Sequence, residues 1–308
     1  MTVQKSLSPR AWAELLLLAC IWGLSFVANR AALQEVGVAT TVAFRVAGAC
    51  LILWLWVAAR RLPLPRAPKV WAAFLVMGLL NNVIPFSLIT WGQLTIPSGL
   101  AAILNASTAI LGVLVASLLF RDERLTPRRM AGVLLGFAGV VTVIGPEALL
   151  RLDLTSVSQL ALLAAALSYA LAGAFARKAL TGLAPQVAAA GMLTGSTLVM
   201  LPAALLIDGP PSLAHSLPIW ASLGYLAAIS TAVAYLLYYR VLAMAGAGNL
   251  SLVTLLVAPV AIVAGALIFD EALPLRAFAG FALLGLGLLT LDGRVLRMFS
   301  RELGPAPR

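Results

Sequence analysis

The chain has 308 residues, of which 62% are hydrophobic and 10% charged, with a formal net charge of +10. A soluble domain is about half apolar and about a quarter charged, so this composition excludes an ordinary soluble protein. The Lys and Arg excess sits in short connections between apolar runs, where it sets membrane topology; it is not a footprint for nucleic acid.

The N-terminal stretch 1–10 is short and polar, and the first apolar run, 11–33, is long enough to stay as a membrane helix. Further runs fall at 38–59, 70–93, 97–119, 130–146, 159–178, 186–207, 218–241, 248–269 and 277–296. A bilayer crossing needs about 20 apolar residues, so the pattern predicts an all-α integral membrane protein with ten transmembrane helices. The third and fourth runs part only at Gln93 to Pro97, with proline where a helix begins. Of the Lys and Arg, 17 lie in the terminal segments and the connections on the N-terminal side, and 3 (Arg30, Arg151 and Arg276) lie opposite. Arg45 remains inside the second helix. The expected orientation puts both termini, including the tail 298–308, in the cytoplasm. Cys20 and Cys50 lie in apolar runs and read as buried small hydrophobes.

The chain repeats. Trp22, Arg30 and Leu33 fall on Tyr169, Arg177 and Leu180 at a shift of 147; Trp71, Phe86 and Gly99 fall on Trp220, Tyr235 and Gly248 at 149. Glu123, Arg128, Gly132 and Gly139 fall on Glu271, Arg276, Gly280 and Gly287 at 148. This divides the chain into a first five-helix unit (11–146), a periplasmic connection (147–158) and a second unit (159–297). An odd number of helices per unit makes the second enter from the opposite face. That is an inverted repeat, which in secondary transporters surrounds a central substrate cavity.

Ile21-Trp22-Gly23-Leu24-Ser25-Phe26 resembles the WG-x-S/N-F opening of the drug/metabolite transporter superfamily. Phe44-Arg45 resembles its second-helix motif. Glu123, Gly132 and Gly139, with Glu271, Gly280 and Gly287, resemble the paired loop and glycine-rich motifs of two EamA-type modules. The similarity covers about 11–297. One departure is Ile110 where the second unit has Pro259. The resemblance implies alternating-access export of amino acids, aromatic ones included, from the cytoplasm across the bacterial inner membrane. Sister branches make broad drug or metabolite efflux the alternative. The implied partners are a small-molecule substrate and membrane lipid, with neither cofactor, metal nor oligomer required.

Polar and aromatic side chains inside a bundle need a cavity or a partner helix. The third helix carries Asn82, Phe86, Ile89 and Gln93 at i, i+4, i+7 and i+11, and the eighth carries Thr231, Tyr235, Tyr238 and Leu242 at the repeat positions. Trp22, Ser25 and Asn29 form a stripe in the first helix, facing Tyr169 in the sixth. Asn105 and Thr108 lie in the fourth, and Thr254 in the ninth repeats Asn105. These residues, on helices 1, 3, 4, 6, 8 and 9, are the expected cavity lining. The same residue types also bond neighbouring helices for packing alone. Trp91 and Tyr239 read as interfacial aromatics. Pro85 and Pro259 are expected to kink their helices, as gating hinges or static bends. Arg45 either snorkels to headgroups or holds a carboxylate or a helix end. Glu14 reads as solvated at the interface, His215 as solvated in an outer loop, and Glu123 and Glu271 as caps or loop pairs. The glycines of the fifth and tenth helices read as close packing. No Asp or Glu falls at mid-span, which disfavours a carboxylate proton relay. One loop His and two isolated Cys argue against an intramembrane enzyme; a scramblase or a scaffold is the third class.

Overall fold

The computed structural model describes residues 8–120, 126–144, 154–180, 182–212, 214–245, 250 and 253–292. Every regular element among them is helical. In chain order they are α1 (Pro9–Ala32), α2 (Val38–Ala59), α3 (Pro68–Gly92), α4 (Ser98–Leu119), α5 (Pro127–Ile144), α6 (Leu154–Ala179), α7 (Pro185–Ile207), α8 (Leu217–Met244), α9 (Val253–Phe269) and α10 (Leu275–Asp292). Seven, α1 to α4 and α6 to α8, are long and apolar enough to cross a membrane; α9 and α10 are apolar but shorter. The outer surface carries leucines such as Leu118, Leu206, Leu267 and Leu275, while Asn29, Asn82, Gln93, Ser196 and Thr231 are buried. A surround of hydrocarbon favours this distribution, because polar groups there must find partners inside the bundle.

Proline sits in the first turn of α1, α3, α7 and α8, where its missing N–H costs nothing. Carboxylates from distant segments cap two other helices. Asp208 accepts from Thr40 N (2.7 Å) at the start of α2, and Glu271 accepts from Ser98 N (2.8 Å) and Ser98 Oγ (3.1 Å) at the start of α4. Glu271 also pairs with Arg30 (3.1 Å). Its repeat partner Glu123 lies outside the described residues.

Much of the helix packing is preserved when the two halves are exchanged. α1 packs on α9 as α6 packs on α4; α1 on α8 as α6 on α3; α2 on α8 as α7 on α3. Equivalent helices also pair directly, and they run antiparallel. In α2 and α7, Thr40 meets Asp208 while Trp54 Nε1 donates to Thr194 Oγ1 (2.8 Å). In α5 and α10, Gly132 lies against the backbone of Gly287, and Gly139 against that of Gly280. A side chain at any of these four glycines would strike the opposing backbone, so the two helices touch because nothing stands between them. Gly136 instead accommodates Ile110, and Gly285 faces open space.

Several boundaries differ from the sequence expectation. α6 begins at Leu154, inside the stretch read as a connection up to 158. Its polar first turn packs beside the connection between α3 and α4, with Thr95 Oγ1 2.6 Å from Ser158 Oγ. α5 begins at Pro127 and α10 at Leu275, each earlier than its apolar run, while residues beyond 292 lie outside the described ones. Cys20 is exposed on α1, and Cys50 is half-buried beside Thr194 (3.5 Å). His215 is not solvated: it packs edge-on against Trp220 and its Nδ1 lies 3.3 Å from Glu35.

Candidate functional site

A cavity of about 540 Å³ lies between the halves and touches every helix except α5 and α10. Of the expected residues, Trp22, Ser25, Asn29, Phe86, Ile89, Asn105, Thr108, Tyr169, Tyr235, Tyr238 and Thr254 line it. Arg45 lines it as well, and so does its repeat equivalent on α7, Met192. Tyr239, expected at the membrane interface, is also in the wall.

Asn82 and Thr231 do not line the cavity; Asn81 and Ser230 do. The same one-residue displacement in both halves has one cause. α3 contains a π-helical turn at Leu79–Val83, and α8 one at Tyr225–Val233. A π-turn inserts a residue into the helix. Counting back from Phe86 and Tyr235, the residue on the same face is therefore five positions away, not four. Proline is not the cause. Pro85 follows the turn in α3, but α8 forms its turn with none, and neither Pro85 nor Pro259 reaches the cavity.

The displaced residues build the wall from behind. Asn82 Nδ2 donates to Ser196 Oγ on α7 (2.9 Å), and its Oδ1 accepts from Tyr235 OH (2.6 Å). Asn81 Nδ2 donates to the same tyrosine oxygen (3.0 Å). α3 thus fixes the Tyr235 ring of α8 by two bonds. In α8 the Thr231 hydroxyl donates to Leu226 O (2.8 Å), a carbonyl of the widened turn. Its lone pair then accepts from Arg45 Nε (2.9 Å).

Arg45 does not snorkel. It is 9% exposed, and its guanidinium carbon lies 3.8 Å from the centre of the Phe86 ring, a cation–π contact. Thr231 and Phe86 hold one edge and one face. No carboxylate pairs with it among the described residues, and its terminal nitrogens open onto the cavity. An unpaired buried cation is costly, and since no acidic side chain among the described residues pairs with it, the cavity is where a counter-charge can enter. Trp22 Nε1 donates to Ser230 O (3.2 Å), so that ring, tilted against Tyr238, is fixed as an apolar wall.

A polar chain closes the end of the cavity nearest α4. Asn29 Nδ2 donates to Gln93 Oε1 (2.9 Å), Thr90 Oγ1 donates to Asn29 Oδ1 (3.1 Å), and Gln93 Nε2 reaches Phe26 O (2.9 Å) and Ser98 Oγ (3.3 Å). Ser98 leads on to Glu271 and Arg30. At the opposite end of α1, Glu14 is not simply solvated: it bonds Arg10 (3.2 Å) and Arg240 of α8.

A mixed polar and aromatic cavity between the exchangeable halves of a lipid-facing bundle is the arrangement of a small-molecule membrane transporter. The chain belongs to the EamA-like transporter family, which matches residues 11–145 and 157–291 as two modules. It is thus a multi-pass membrane protein and a transporter rather than an enzyme. It is 27% identical over 91% of its length to 97% of an uncharacterized transporter of Archaeoglobus fulgidus. It is 26% identical to a probable amino-acid metabolite efflux pump of Escherichia coli, covering 89% of this chain and 91% of that one. A probable terminal-alkyne amino-acid exporter of Streptantibioticus cattleyicolor is 29% identical, covering 94% and 95%. A solved crystal structure with a TM-score of 0.65 and 18% identity covers 93% of this chain and 98% of its own, and shares the fold.

Proposed function

We propose that the protein exports amino acids, aromatic and other neutral ones, and related metabolites from the cytoplasm across the inner membrane by alternating access. The observation that carries this is the Arg45 guanidinium, open to an aromatic-walled cavity with no carboxylate beside it among the described residues. A substrate carboxylate is the counter-charge it lacks, and arginine binds carboxylates through paired N–H bonds. The cavity volume lies in the range of small-molecule sites, about 300–1,000 Å³. Relatives named for amino-acid metabolite efflux and amino-acid export support the substrate class.

In this reading the two modules form an inverted repeat with ten crossings and cytoplasmic termini. Two observations support the inversion: the antiparallel pairing of α2 with α7 and of α5 with α10. A two-fold axis in the membrane plane makes equivalent helices antiparallel, whereas an axis along the normal leaves them parallel. The modules rock about the cavity. Pro85 and Pro259 are the hinge points of that motion, while Asn82 and Thr231 position the wall without touching substrate.

The test is uptake of labelled tryptophan, phenylalanine, threonine, methionine and lysine into proteoliposomes, with and without a pH gradient and with unlabelled competitor. Saturable uptake of the neutral members is expected. Saturable uptake of drugs, with none of the amino acids, would move the assignment to broad efflux.

A further inference from the structure

We propose that the groove between α5 and α6 binds an anionic phospholipid, with one acyl chain lying along α4 and the phosphate held by Lys178 and Arg129. Such a site is independent of the cargo and needs only that the chain is a multi-pass membrane protein.

α5 and α6 both pack on α4 but scarcely touch each other. Between them lies a second cavity, of about 240 Å³, floored by Ile110 and Leu111 of α4 and walled by Phe137 and Val140 of α5 and by Leu163 and Leu167 of α6. Its polar lining residue, Ser107, donates its hydroxyl to Leu104 O (2.6 Å). What the groove offers a ligand is therefore contact with hydrocarbon. Phe137 and Leu167 are exposed on the outside of the bundle, and none of the lining residues borders the central cavity. The groove opens to lipid.

Hydrocarbon contact does not separate one lipid from another; the basic residues at one end of the groove do. Lys178 lies 11 residues beyond Leu167 on α6, and Arg129 lies 11 residues before Val140 on α5. Eleven residues are close to three full turns, so each basic residue shares a face with the groove wall, about 16 Å further along its helix. That is one leaflet of hydrocarbon, half of about 30 Å, the depth an acyl chain covers below its headgroup. Arg128, one position away, turns instead to Leu291 O of α10 (3.4 Å). Lys178 Nζ leans over Phe120 at the end of α4 (5.1 Å), and the Arg177 guanidinium shares that ring (4.3 Å). Two cations thus gather at the mouth of the groove.

The two modules differ here. Residues 120–129 and 177–178 hold six Lys and Arg against two Asp and Glu, whereas their repeat equivalents, 268–277 and 30–31, hold two against two. Pairing within the chain can cancel the second set but not the first. Charge bias alone sets topology; the apolar groove aligned beneath it is what makes a site. Basic pockets between membrane helices take anionic headgroups in this way.

The test is thermal unfolding of the purified full-length protein in detergent, with added phosphatidylglycerol or phosphatidylcholine of the same acyl chains. Wild type is expected to be stabilised at a lower concentration of the anionic lipid. Arg129→Gln with Lys178→Gln is expected to raise the half-stabilising concentration of phosphatidylglycerol about 30-fold, the scale of two basic residues at an anionic surface, and to leave that of phosphatidylcholine unchanged. Ala164→Trp, which fills the groove from an exposed position, is expected to weaken both lipids alike. Arg60→Gln with Arg61→Gln, at the end of α2, is the control for bulk charge and should change nothing. No preference in wild type, a preference that survives the Arg129 and Lys178 substitutions, or an equal loss with the Arg60 and Arg61 pair overturns the site.

Discussion

The π-turns of α3 and α8 occupy equivalent places in the two modules and have the same effect on the backbone, yet they carry opposite chemistry. In α3 the displaced residue is Asn82, whose amide ties α7 and Tyr235 together and contacts no charged group. In α8 it is Thr231, whose hydroxyl hands the Arg45 guanidinium to the cavity. On the two helices that face them, the equivalent positions hold Arg45 and Met192. The repeat thus supplies a symmetric scaffold, which suits two conformations related by exchange of the modules. The ligand chemistry is concentrated on one side of the pseudo-axis. In the proposed function, symmetry of backbone and asymmetry of side chains would serve different ends: the first allows the motion and the second orients the cargo.

That contrast predicts distinct phenotypes. Arg45→Ala is expected to lower transport at subsaturating substrate by about 100-fold, the scale of a charge-assisted, bidentate contact. Arg45→Lys should restore only part of it, because an ammonium cannot bond Thr231, cover Phe86 and fork a carboxylate at once. Initial uptake rates, normalised to reconstituted protein, check both.

Thr231→Val should act on transport through Arg45, raising KM about tenfold by removing one bond to a charged group, beside the stability lost when the buried Arg45 Nε loses its acceptor. Asn82→Ala should act mainly on the fold. It leaves the Tyr235 hydroxyl without its acceptor and removes the link to Ser196, and is expected to cost about 1–3 kcal/mol of stability, seen as a lower thermal midpoint in detergent, with a smaller change in KM. Identical phenotypes for these two variants would break the proposed division of roles.

The smallest effect is expected at the outer rim. Glu35 accepts from Ser216 Oγ (2.6 Å) and Ser216 N (3.0 Å) at the start of α8, with His215 beside it. These bonds, the Ser216 hydroxyl first, hold its carboxyl below the ordinary glutamate range. A depressed carboxylate stabilises the fold above its unfolded pKa, and the benefit is lost as pH falls through the folded value. The stability difference between wild type and Glu35→Gln should therefore be present at neutral pH and vanish in acid, in thermal melts across that window.

Much of this was legible in the sequence because hydrocarbon leaves the chain few choices. Long apolar runs give the helices, and constant shifts between Trp22 and Tyr169 or Gly132 and Gly280 give the repeat. The paired glycines announced close packing, but not that α5 and α10 pack on each other. The cavity stripes were legible from Phe86 and Tyr235 onward, where the period is that of an α-helix. Before those residues the reading slips by one position, onto Asn82 instead of Asn81 and Thr231 instead of Ser230. A π-turn leaves no mark in hydropathy, although the doublet Asn81-Asn82 within an apolar run was a signal that both faces there are polar. The burial of Arg45 was hidden for a similar reason. Position along a helix gives depth, but only the neighbours Thr231 and Phe86 show that its side chain turns inward.

The most direct measurement is competition for labelled phenylalanine transport by phenethylamine, which lacks the carboxylate, against unlabelled phenylalanine, in proteoliposomes of wild type and Arg45→Gln. If Arg45 holds the carboxylate, phenylalanine competes far better than phenethylamine in wild type, and that advantage collapses in the variant. Equal competition by the two in wild type, or an advantage that survives Arg45→Gln, would contradict the account.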